Sequence, residues 1–574
     1  MFRPLQLLAL AVALPLLLAS CASHMSWPSE PRAIPRPARL ASTEPAPTPA
    51  EASRFLQQAT FGPSMGEIEA LTRSNFSSWV DQQMATKQTL TAPLIEPYYK
   101  ALKKGENLKQ DQYFSAFWKT SATAPDQLRQ RVAFALSEIF VISMDGMLDV
   151  KMRAIANYHD MLARNAFGDF RTLIEEVSRH PAMGVYLSHL RNLKEDPVKG
   201  RVPDENYARE VMQLFTIGLQ ELNPDGTLKL RNGEPIETYT NEDITGLAKV
   251  FTGFSYGSFE RADQDFHNAG RNPDWEIRPM VGYNQFHSGS EKRFLGVTIP
   301  ASQFPSADDD LKIAMDRLFN HPNVGPFFGR QLIQRLVTSN PSPAYVRRVT
   351  EAFNNNGAGV RGDMQAVIRA VLLDPEARSA ASLKDAGFGK VREPILRLSQ
   401  WMRAFNATSI AGNFDMYNTD NPGNALGQSP MRSPTVFNFY RPGYVPPGSM
   451  VAKRNMVAPE MQIVSESSVA GYANFIQSVI DGGVGRAANN KRDIQPDYSA
   501  QMALADSTDR LVAHIDLLLT ASQLSPESRR RISEAVNEIR IPANNPTQAE
   551  NARRNRVKLA TLLTMVSPEY LVQK

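Results

Sequence analysis

The chain is nearly devoid of cysteine: Cys21 is the only one among its 574 residues. A disulfide within one molecule and a zinc site built from cysteines are therefore excluded. Basic and acidic residues almost balance, with a formal net charge of +4, and no run of Lys and Arg is long enough to form a nucleic-acid groove. The sequence thus predicts no nucleic-acid partner. Beyond residue 21, no apolar run approaches the roughly 20 residues that a membrane-spanning helix needs.

Familiar catalytic motifs are missing as well. The sequence contains no GxSxG, no Walker loop and no GxGxxG, so esterases with a nucleophile elbow, P-loop enzymes and dinucleotide folds have no support. No two histidines have HExxH or HxxxH spacing, and no metal site is predicted. The acidic turn at 221–226 fits a calcium loop poorly, since Lys229 and Asn232 stand where ligands belong. No cofactor is assigned.

The first 21 residues have the features of a signal peptide. Arg3 precedes an apolar run from Leu5 to Leu18, and the small residues Ala19 and Ser20 then lead to Cys21. The run is too short to span a membrane, so residues 1–20 are predicted to be cleaved. The order Leu-Ala-Ser-Cys resembles the bacterial lipobox, which implies a diacylglyceryl thioether on Cys21 and acylation of the new amino terminus. The alternative is an ordinary signal peptide that happens to end near a cysteine.

The segment after the cysteine indicates where the protein is held. Ala22, rather than an aspartate, follows Cys21, and by the usual rule for such lipoproteins this predicts the outer membrane, facing the periplasm or the cell surface. Residues 21–52 are rich in Pro, Ala, Ser and Glu. They predict a disordered tether, because such a composition buries too little apolar surface to offset its ordering entropy. We expect a cell-envelope protein anchored to the membrane by lipid, with its main domain outside the cytoplasm.

Residues 53–574 are expected to form a large, mainly α-helical domain, with a subdivision near 380–455 left open. Apolar residues recur with helical periodicity throughout. The clearest predicted helices are 127–142, 167–177, 207–215, 241–251, 311–319, 324–337, 344–353, 364–373, 461–480, 509–521, 528–539 and 551–565. Residues 223–240 predict instead a small β-hairpin that turns at Asn232 and Gly233. Two long polar regions, 256–292 and 413–454, lack periodicity and are predicted to be functional loops, lids or local disorder.

The densest polar cluster lies on the predicted helix within 204–218. Asn206, Glu210 and Gln213 stand at i, i+4 and i+7 and would share one stripe. Glu205 or Glu210 could then act as a general acid or base, with Arg209 orienting it and Asn206 binding substrate. The alternative is an ordinary helix start, in which Glu205 pairs with Arg209 at i+4 for a few tenths of a kcal/mol.

A second candidate lies in the polar loop 286–296. His287 and Lys292 could together bind an anionic group of a substrate, with His287 also a catalytic candidate. The alternative is an exposed loop histidine. Arg432, which directly precedes the segment 433–444, is a further substrate-binding candidate.

Several stretches carry a family resemblance. They are NAFGDF at 165–170, HPAM at 180–183, DENYAREVMQLFTIG at 204–218, the segment 240–253, FHSGSEKRFLG at 286–296 and SPTVFNFYRPGY at 433–444. Over about residues 52–574 the chain is similar to the bacterial family catalogued as domain of unknown function 1800. The resemblance implies an exported, mostly helical protein, often encoded beside a secreted family similar to sulfatases and alkaline phosphatases. The family helix usually has glutamate where this chain has Gln213.

Two functions remain open at this point. One is an enzyme or substrate-handling protein of the cell envelope that acts on an extracytoplasmic polymer such as a glycan, through Glu205, Arg209, Glu210 and His287. The other is a noncatalytic helical scaffold that docks a secreted sulfatase-like or phosphatase-like partner through its long loops.

The lipid anchor can be tested directly by replacing Cys21 with Ser. Since the acylation would require the Cys21 thiol, we expect Cys21→Ser to remove the diacylglyceryl mass from the mature protein and to release it from the membrane fraction. Mass spectrometry and membrane fractionation measure both effects. An unmodified thiol on parental Cys21 would contradict the prediction.

Overall fold

The computed structural model describes residues 26–27, 33–38, 44–258, 260–271, 274–488 and 490–574. The predicted signal peptide, Cys21 and His24 lie outside these ranges. Within them, no helix is both long and apolar enough to cross a bilayer.

Helices dominate the described chain, as the periodicity predicts. Those in its first half are Pro49–Ala59, Met65–Leu71, Phe76–Ala85, Ala92–Lys100, Gln110–Thr123, Gln127–Ser137, Met152–Asn165, Phe170–Arg179, Pro181–Tyr186, Asn206–Glu210, Asn241–Val250 and Asp263–His267. Those in its second half are Ala307–Phe319, Val324–Leu336, Pro343–Asn354, Met364–Leu372, Pro375–Arg378, Ala380–Lys384, Pro394–Ala404, Met450–Lys453, Glu466–Gly482, Ser499–Met502, Thr508–Thr520, Pro526–Asn537, Pro546–Met565 and Pro568–Leu571. The prediction of a mainly α fold is confirmed.

Shorter helical turns complete the chain. A π-helix covers Val211–Thr216, and 3₁₀ turns cover Ala269–Arg271, Trp275–Ile277, Asn284–Phe286 and Pro459–Ile463. The predicted helix 207–215 is thus an α-helix, Asn206–Glu210, that widens into the π-helix. Local caps set several helix starts. Before Asn241–Val250, Thr240 and Asp243 form reciprocal side chain to backbone hydrogen bonds, which satisfy donors that the first turn leaves unpaired.

The strands are short and pair antiparallel. Two-stranded sheets join Leu230–Arg231 to Glu234–Pro235, Phe254–Ser255 to Val281–Gly282, Lys292–Phe294 to Val297–Ile299, and Lys390–Val391 to Val572–Gln573. A three-stranded sheet contains Thr408–Ser409, Lys491–Gln495 and Val484–Ala488 in that order.

The predicted hairpin is confirmed. Asn232 and Gly233 connect its strands with φ values of 55° and 89°, as a tight turn with two left-handed residues requires.

One cluster of buried apolar side chains extends from Ala52 to Tyr570, and it includes residues on both sides of the subdivision left open near 380–455. The polar region 413–454 has little regular structure, but it packs against this core. Met416 is fully buried, Leu426 is 3 % exposed and Tyr440 is 2 % exposed. The region is therefore packed against the core and forms part of the domain.

The predicted tether contacts the domain where it is described. Trp27 stacks on His180 with ring centroids 5.2 Å apart. The Arg36 guanidinium lies 2.9 Å from the Asp363 carboxylate. The helix Pro49–Ala59 begins before residue 52, so the expected boundary falls inside a helix.

Close backbone packing makes one helical glycine essential. A Cβ on Gly246 would lie 1.7 Å from the Arg293 carbonyl oxygen, whereas a Cβ on Gly66 would meet nothing within 4 Å. We expect Gly246→Ala to lower the free energy of unfolding by about 3 kcal/mol. Gly66→Ala, the matched helical control, should be neutral or stabilising by about 0.5–1 kcal/mol. Thermal unfolding measures both, and equal melting temperatures would contradict the packing.

Candidate functional site

The predicted stripe on 204–218 begins with an ordinary helix start. Glu205 stands directly before the helix Asn206–Glu210. Its carboxylate accepts from the Thr245 hydroxyl at 2.8 Å and from Arg209 at 3.4 Å. Asn206 is exposed, and its amide nitrogen lies 3.4 Å from the Ser188 hydroxyl. The Glu205–Arg209 pair matches the structural alternative considered for these residues.

Glu210 differs from its neighbours because it is only 8 % exposed. Its Oε2 atom is buried and has no hydrogen-bond partner in the described part of the chain. Burial raises the pKa of this carboxyl, although the Arg209 charge acts in the opposite direction. Glu210 does not line any of the five cavities described, including the one of about 690 Å³ that begins one helical turn further on.

His287 and Lys292 lie in the interior, at 0 % and 1 % exposure. His287 Nε2 is 3.0 Å from the Asp310 carboxylate, and Lys292 Nζ is 2.9 Å from the same oxygen. Burial alone would raise the pKa of Asp310, but hydrogen bonds from His287 and Lys292 hold it below its ordinary value. The three side chains fasten the loop to the helix Ala307–Phe319. This geometry does not support the expectation that His287 and Lys292 bind a substrate anion.

Arg432 also has partners within the chain. It pairs with Asp420, donates to the Gln110 side chain at 2.9 Å and lies 3.8 Å from Asp145. Its side chain is 21 % exposed. The predicted site residues Glu205, His287 and Arg432 are therefore held in separate clusters of contacts.

A cavity of about 690 Å³ lies beside this region and is the candidate functional site. We call it the principal cavity. Its lining combines apolar and aromatic side chains with a few polar ones, as ligand sites usually do. The lining residues are Glu138, Ile139, Gln213, Leu214, Gly218, Leu219, Gln220, Leu222, Leu228, Phe327, Gln331, Arg335, Val436, Phe437, Arg441, Pro442, Gly443, Tyr444 and Val445.

Three elements position these side chains. Phe327, Gln331 and Arg335 stand four residues apart on the helix Val324–Leu336 and so share one face. The π-helix contributes Gln213, whose Oε1 accepts from the Tyr239 hydroxyl at 3.2 Å. The segment 436–445 forms the opposite wall.

Gly218 shapes the wall at the end of the π-helix. Its φ is 71°, in the left-handed region that favours glycine, and a Cβ there would lie 2.7 Å from the Phe327 ring. The Phe327 ring can therefore lie against the backbone only because residue 218 has no side chain.

The segment 436–445 is tied to the domain at several points. The Asn438 amide and the Tyr440 hydroxyl both donate to Glu138 Oε1 at 3.1 Å. The Arg441 guanidinium lies over the Phe437 ring, 4.5 Å from its centroid. These contacts hold the aromatic wall against the cavity floor. The floor is the face of the helix Val324–Leu336 that carries Gln331 and Arg335.

Two nitrogen donors on the floor lack acceptors. Gln331 Nε2 and Arg335 Nε are buried and make no hydrogen bond within the described residues. The Glu138 carboxylate is 3.9 Å from Arg335 Nε, too far for a hydrogen bond. Buried donors without acceptors are uncommon in folded proteins, and these two lie beneath the surface that lines the cavity, where water does not reach them.

A buried ionic network lies directly behind this floor. Lys390 Nζ donates to the Arg335 carbonyl oxygen at 2.8 Å, and it lies 3.5 Å from Glu393 and 3.1 Å from Glu460. Arg131 donates to the same carbonyl oxygen at 2.6 Å. Lys390, Glu393 and Glu460 are each at most 2 % exposed. We call these residues, with Glu138 and Arg335, the buried ionic network.

Two carboxyls of the network share a proton. Burial and the Glu393 charge raise the pKa of Glu138 from 4.5 to about 8. Glu393 is equally buried, but Lys390 and a hydrogen bond from Glu138 lower its pKa. Glu138 therefore keeps its proton to a higher pH than Glu393 does, as expected when two carboxyls occupy one site.

The sequence indicates only some of the residues in and behind this cavity. Gln213 and the segment 433–444 are among those named from the sequence, and Glu138, Gln331, Arg335 and Lys390 are not. A signal was present, because Gln331 and Arg335 are polar residues beside Leu332 and Leu336 on a strongly apolar helix. Among the described residues, no group of three or more His, Cys, Asp or Glu side chains is placed to hold a metal ion.

Comparison with known proteins gives one match. A family model described as "Protein of unknown function (DUF1800)" matches residues 54–572. No curated protein and no solved structure matches the chain.

The shared proton predicts a pH dependence of stability. Between pH 4.5 and about 8 folded Glu138 holds a proton that the unfolded chain has released, so stability falls as pH rises through this window. Glu138→Gln, which stays neutral, should lack this component of the fall. We expect the melting temperatures of parent and variant to diverge between pH 5 and pH 8, measured by calorimetry.

A matched control is Glu538→Gln, at an exposed position. This variant should follow the parent at every pH. A parallel pH profile for Glu138→Gln would mean that Glu138 is ionised in the folded protein.

Proposed function

The chain belongs to the DUF1800 family, and we propose that this member is a lipid-anchored cell-envelope protein that binds a segment of an extracytoplasmic glycan in the principal cavity. The observation that carries the proposal is the set of half-buried aromatic rings, Phe327, Phe437 and Tyr444, that line the cavity together with the polar side chain of Gln213. An oxygen-rich ligand with apolar faces satisfies both features.

The cavity wall favours sugar rings in particular. Phe327, Phe437 and Tyr444 are half-buried, so each presents ring surface to a ligand. Sugar rings have apolar C–H faces that can lie on aromatic rings and hydroxyl edges that exchange hydrogen bonds with amides. Gln213 supplies such an amide.

The chemistry of the cavity favours binding over hydrolysis. Glycoside hydrolysis commonly uses two carboxyls about 5–9.5 Å apart on either side of the scissile bond. Glu138 is the only carboxyl among the cavity-lining residues of the described chain. We therefore propose a substrate-handling role for the cavity.

A second candidate is favoured by a separate observation. Leu219, Leu228 and Leu230 are 57 %, 44 % and 58 % exposed, and the first two line the principal cavity. Exposed apolar clusters often mark protein interfaces. In this alternative the protein docks a secreted sulfatase-like or phosphatase-like partner. Deleting 413–454 would not test it cleanly, because that segment is part of the packed domain.

Membrane attachment remains part of the proposal. The lipid on Cys21 rests on the sequence pattern alone and is tested by the Cys21→Ser experiment. The contacts of Trp27 and Arg36 with the domain would then keep the domain close to the membrane to which Cys21 is attached.

The proposal predicts saturable binding of oligosaccharides. Phe437→Ala should weaken binding of N-acetylglucosamine or glucose oligomers at least about tenfold, which corresponds to about 1.4 kcal/mol, because it removes ring surface from the wall. Isothermal titration calorimetry measures the change in Kd.

Phe304→Ala is the control, since Phe304 is 91 % exposed and does not line the cavity. It should bind as the parent does. If neither oligomer binds the parent, while Leu228→Lys abolishes co-purification with the product of the neighbouring gene, the docking function replaces the glycan-binding function.

A further inference from the structure

A second cavity of about 340 Å³ lies at a different place in the domain. It is bounded by the helices Pro394–Ala404 and Glu466–Gly482 and by the chain near 566–572. Its volume is near the lower end of the range for small-molecule sites. Most of its walls are apolar, formed by Val391, Pro394, Leu426, Met461, Ile463, Val464, Val469, Ala473, Val566, Pro568, Leu571 and Val572.

Two buried arginines and one buried acid, Glu460, interrupt these apolar walls. Arg392 is 3 % exposed and Arg397 is 8 % exposed, and both line the cavity. Their guanidinium carbons lie 4.5 Å and 4.6 Å from the ring centroids of Tyr570 and Tyr472. The rings and, for Arg392, the side-chain oxygens of Gln57 and Gln400 hold the guanidinium groups in place without supplying a negative charge.

Neither guanidinium has a carboxylate partner. Within the described ranges, no Asp or Glu oxygen lies within 4.0 Å of Arg392 or Arg397. Arg397 donates its Nε to the Arg392 carbonyl oxygen at 2.7 Å. Lys390 contacts both nearby acids, Glu393 and Glu460, and of these two Glu460 also lines this cavity.

Unpaired buried cations are unfavourable. Burial lowers the pKa of both arginines, because removing a charge from water without an opposite charge raises its free energy. An anion in the cavity would compensate this penalty, and an apolar body attached to the anion would cover the aliphatic walls. Arginine suits a carboxylate, which its planar fork can bind through two parallel hydrogen bonds.

We propose that this second cavity binds the carboxylate of a medium-chain fatty acid, with the head group on Arg397 and the aliphatic chain along Val464, Val469 and Leu571. The opening lies at Val469 and Val572, which are 60 % and 36 % exposed and leave an apolar route from the surface. This site is separate from the principal cavity and does not depend on the proposed glycan binding.

The test is calorimetric titration of the full mature chain carrying Cys21→Ser, so that no detergent competes for the cavity. The probes are decanoate, its uncharged counterpart decanol, and acetate, which lacks the chain. We expect saturable binding of one decanoate per protein, with decanol and acetate at least tenfold weaker. Equal binding of decanol, or no saturable binding of decanoate, overturns the proposal.

Two variants locate the binding. Arg397→Gln should weaken decanoate binding at least tenfold, while its melting temperature without ligand stays at or above that of the parent because an unpaired buried charge is removed. Val469→Glu puts a negative charge at the exposed opening and should weaken decanoate binding without changing the fold. The matched control Arg554→Gln, at an arginine that is 48 % exposed, should bind as the parent does.

The second variant keeps the test decisive if Arg397→Gln does not fold. Unchanged decanoate affinity in Val469→Glu, or in a folded Arg397→Gln, means that decanoate binds elsewhere on the protein and contradicts the assignment.

Discussion

The ammonium group of Lys390 joins parts of the molecule that are far apart in sequence. It contacts two buried acids, Glu393 and Glu460, and the carbonyl oxygen of Arg335. A buried lysine is tolerated only when its charge and its donors are satisfied. Lys390 thus helps to fix the position of Arg335, whose carbonyl oxygen also accepts from Arg131. Glu460 also lines the second cavity, so the buried ionic network contributes residues to both cavities.

The helices could be predicted because the residues that determine each helix lie next to one another in the sequence. The segment Met364–Leu372 repeats its buried residues with helical spacing, and its cap Asp363 directly precedes it. The hairpin turn at Asn232 and Gly233 is local in the same way. By contrast, strand Thr408–Ser409 pairs with a strand more than 80 residues later. Strands of two or three residues carry no periodicity, and the sequence offers no sign of which distant segment they meet.

In the candidate site, too, the features set by neighbouring residues could be predicted, and the contacts between distant segments could not. Glu205 and Arg209 stood out because they are charged neighbours, but the structure accounts for them by a local ion pair. His287 was a candidate because of the chemistry of its side chain. In the structure its Nε2 atom is paired with the carboxylate of Asp310, more than 20 residues later in the chain. Glu138 was not predicted as a site residue, because it lies at the end of an apolar helix. Its raised pKa follows first from burial and then from Glu393, which is distant in sequence, and only the folded chain supplies both.

The strand Val572–Gln573 has a consequence for how the protein acquires its structure. It pairs with Lys390–Val391, and the Gln573 side chain donates to the Leu336 carbonyl oxygen at 2.9 Å. These pairings cannot form until residue 573 has been synthesised. Contacts of such long sequence separation slow folding. The strand Lys390–Val391 therefore waits for a partner more than 170 residues later in the chain, which makes the closing of this sheet a late step of folding.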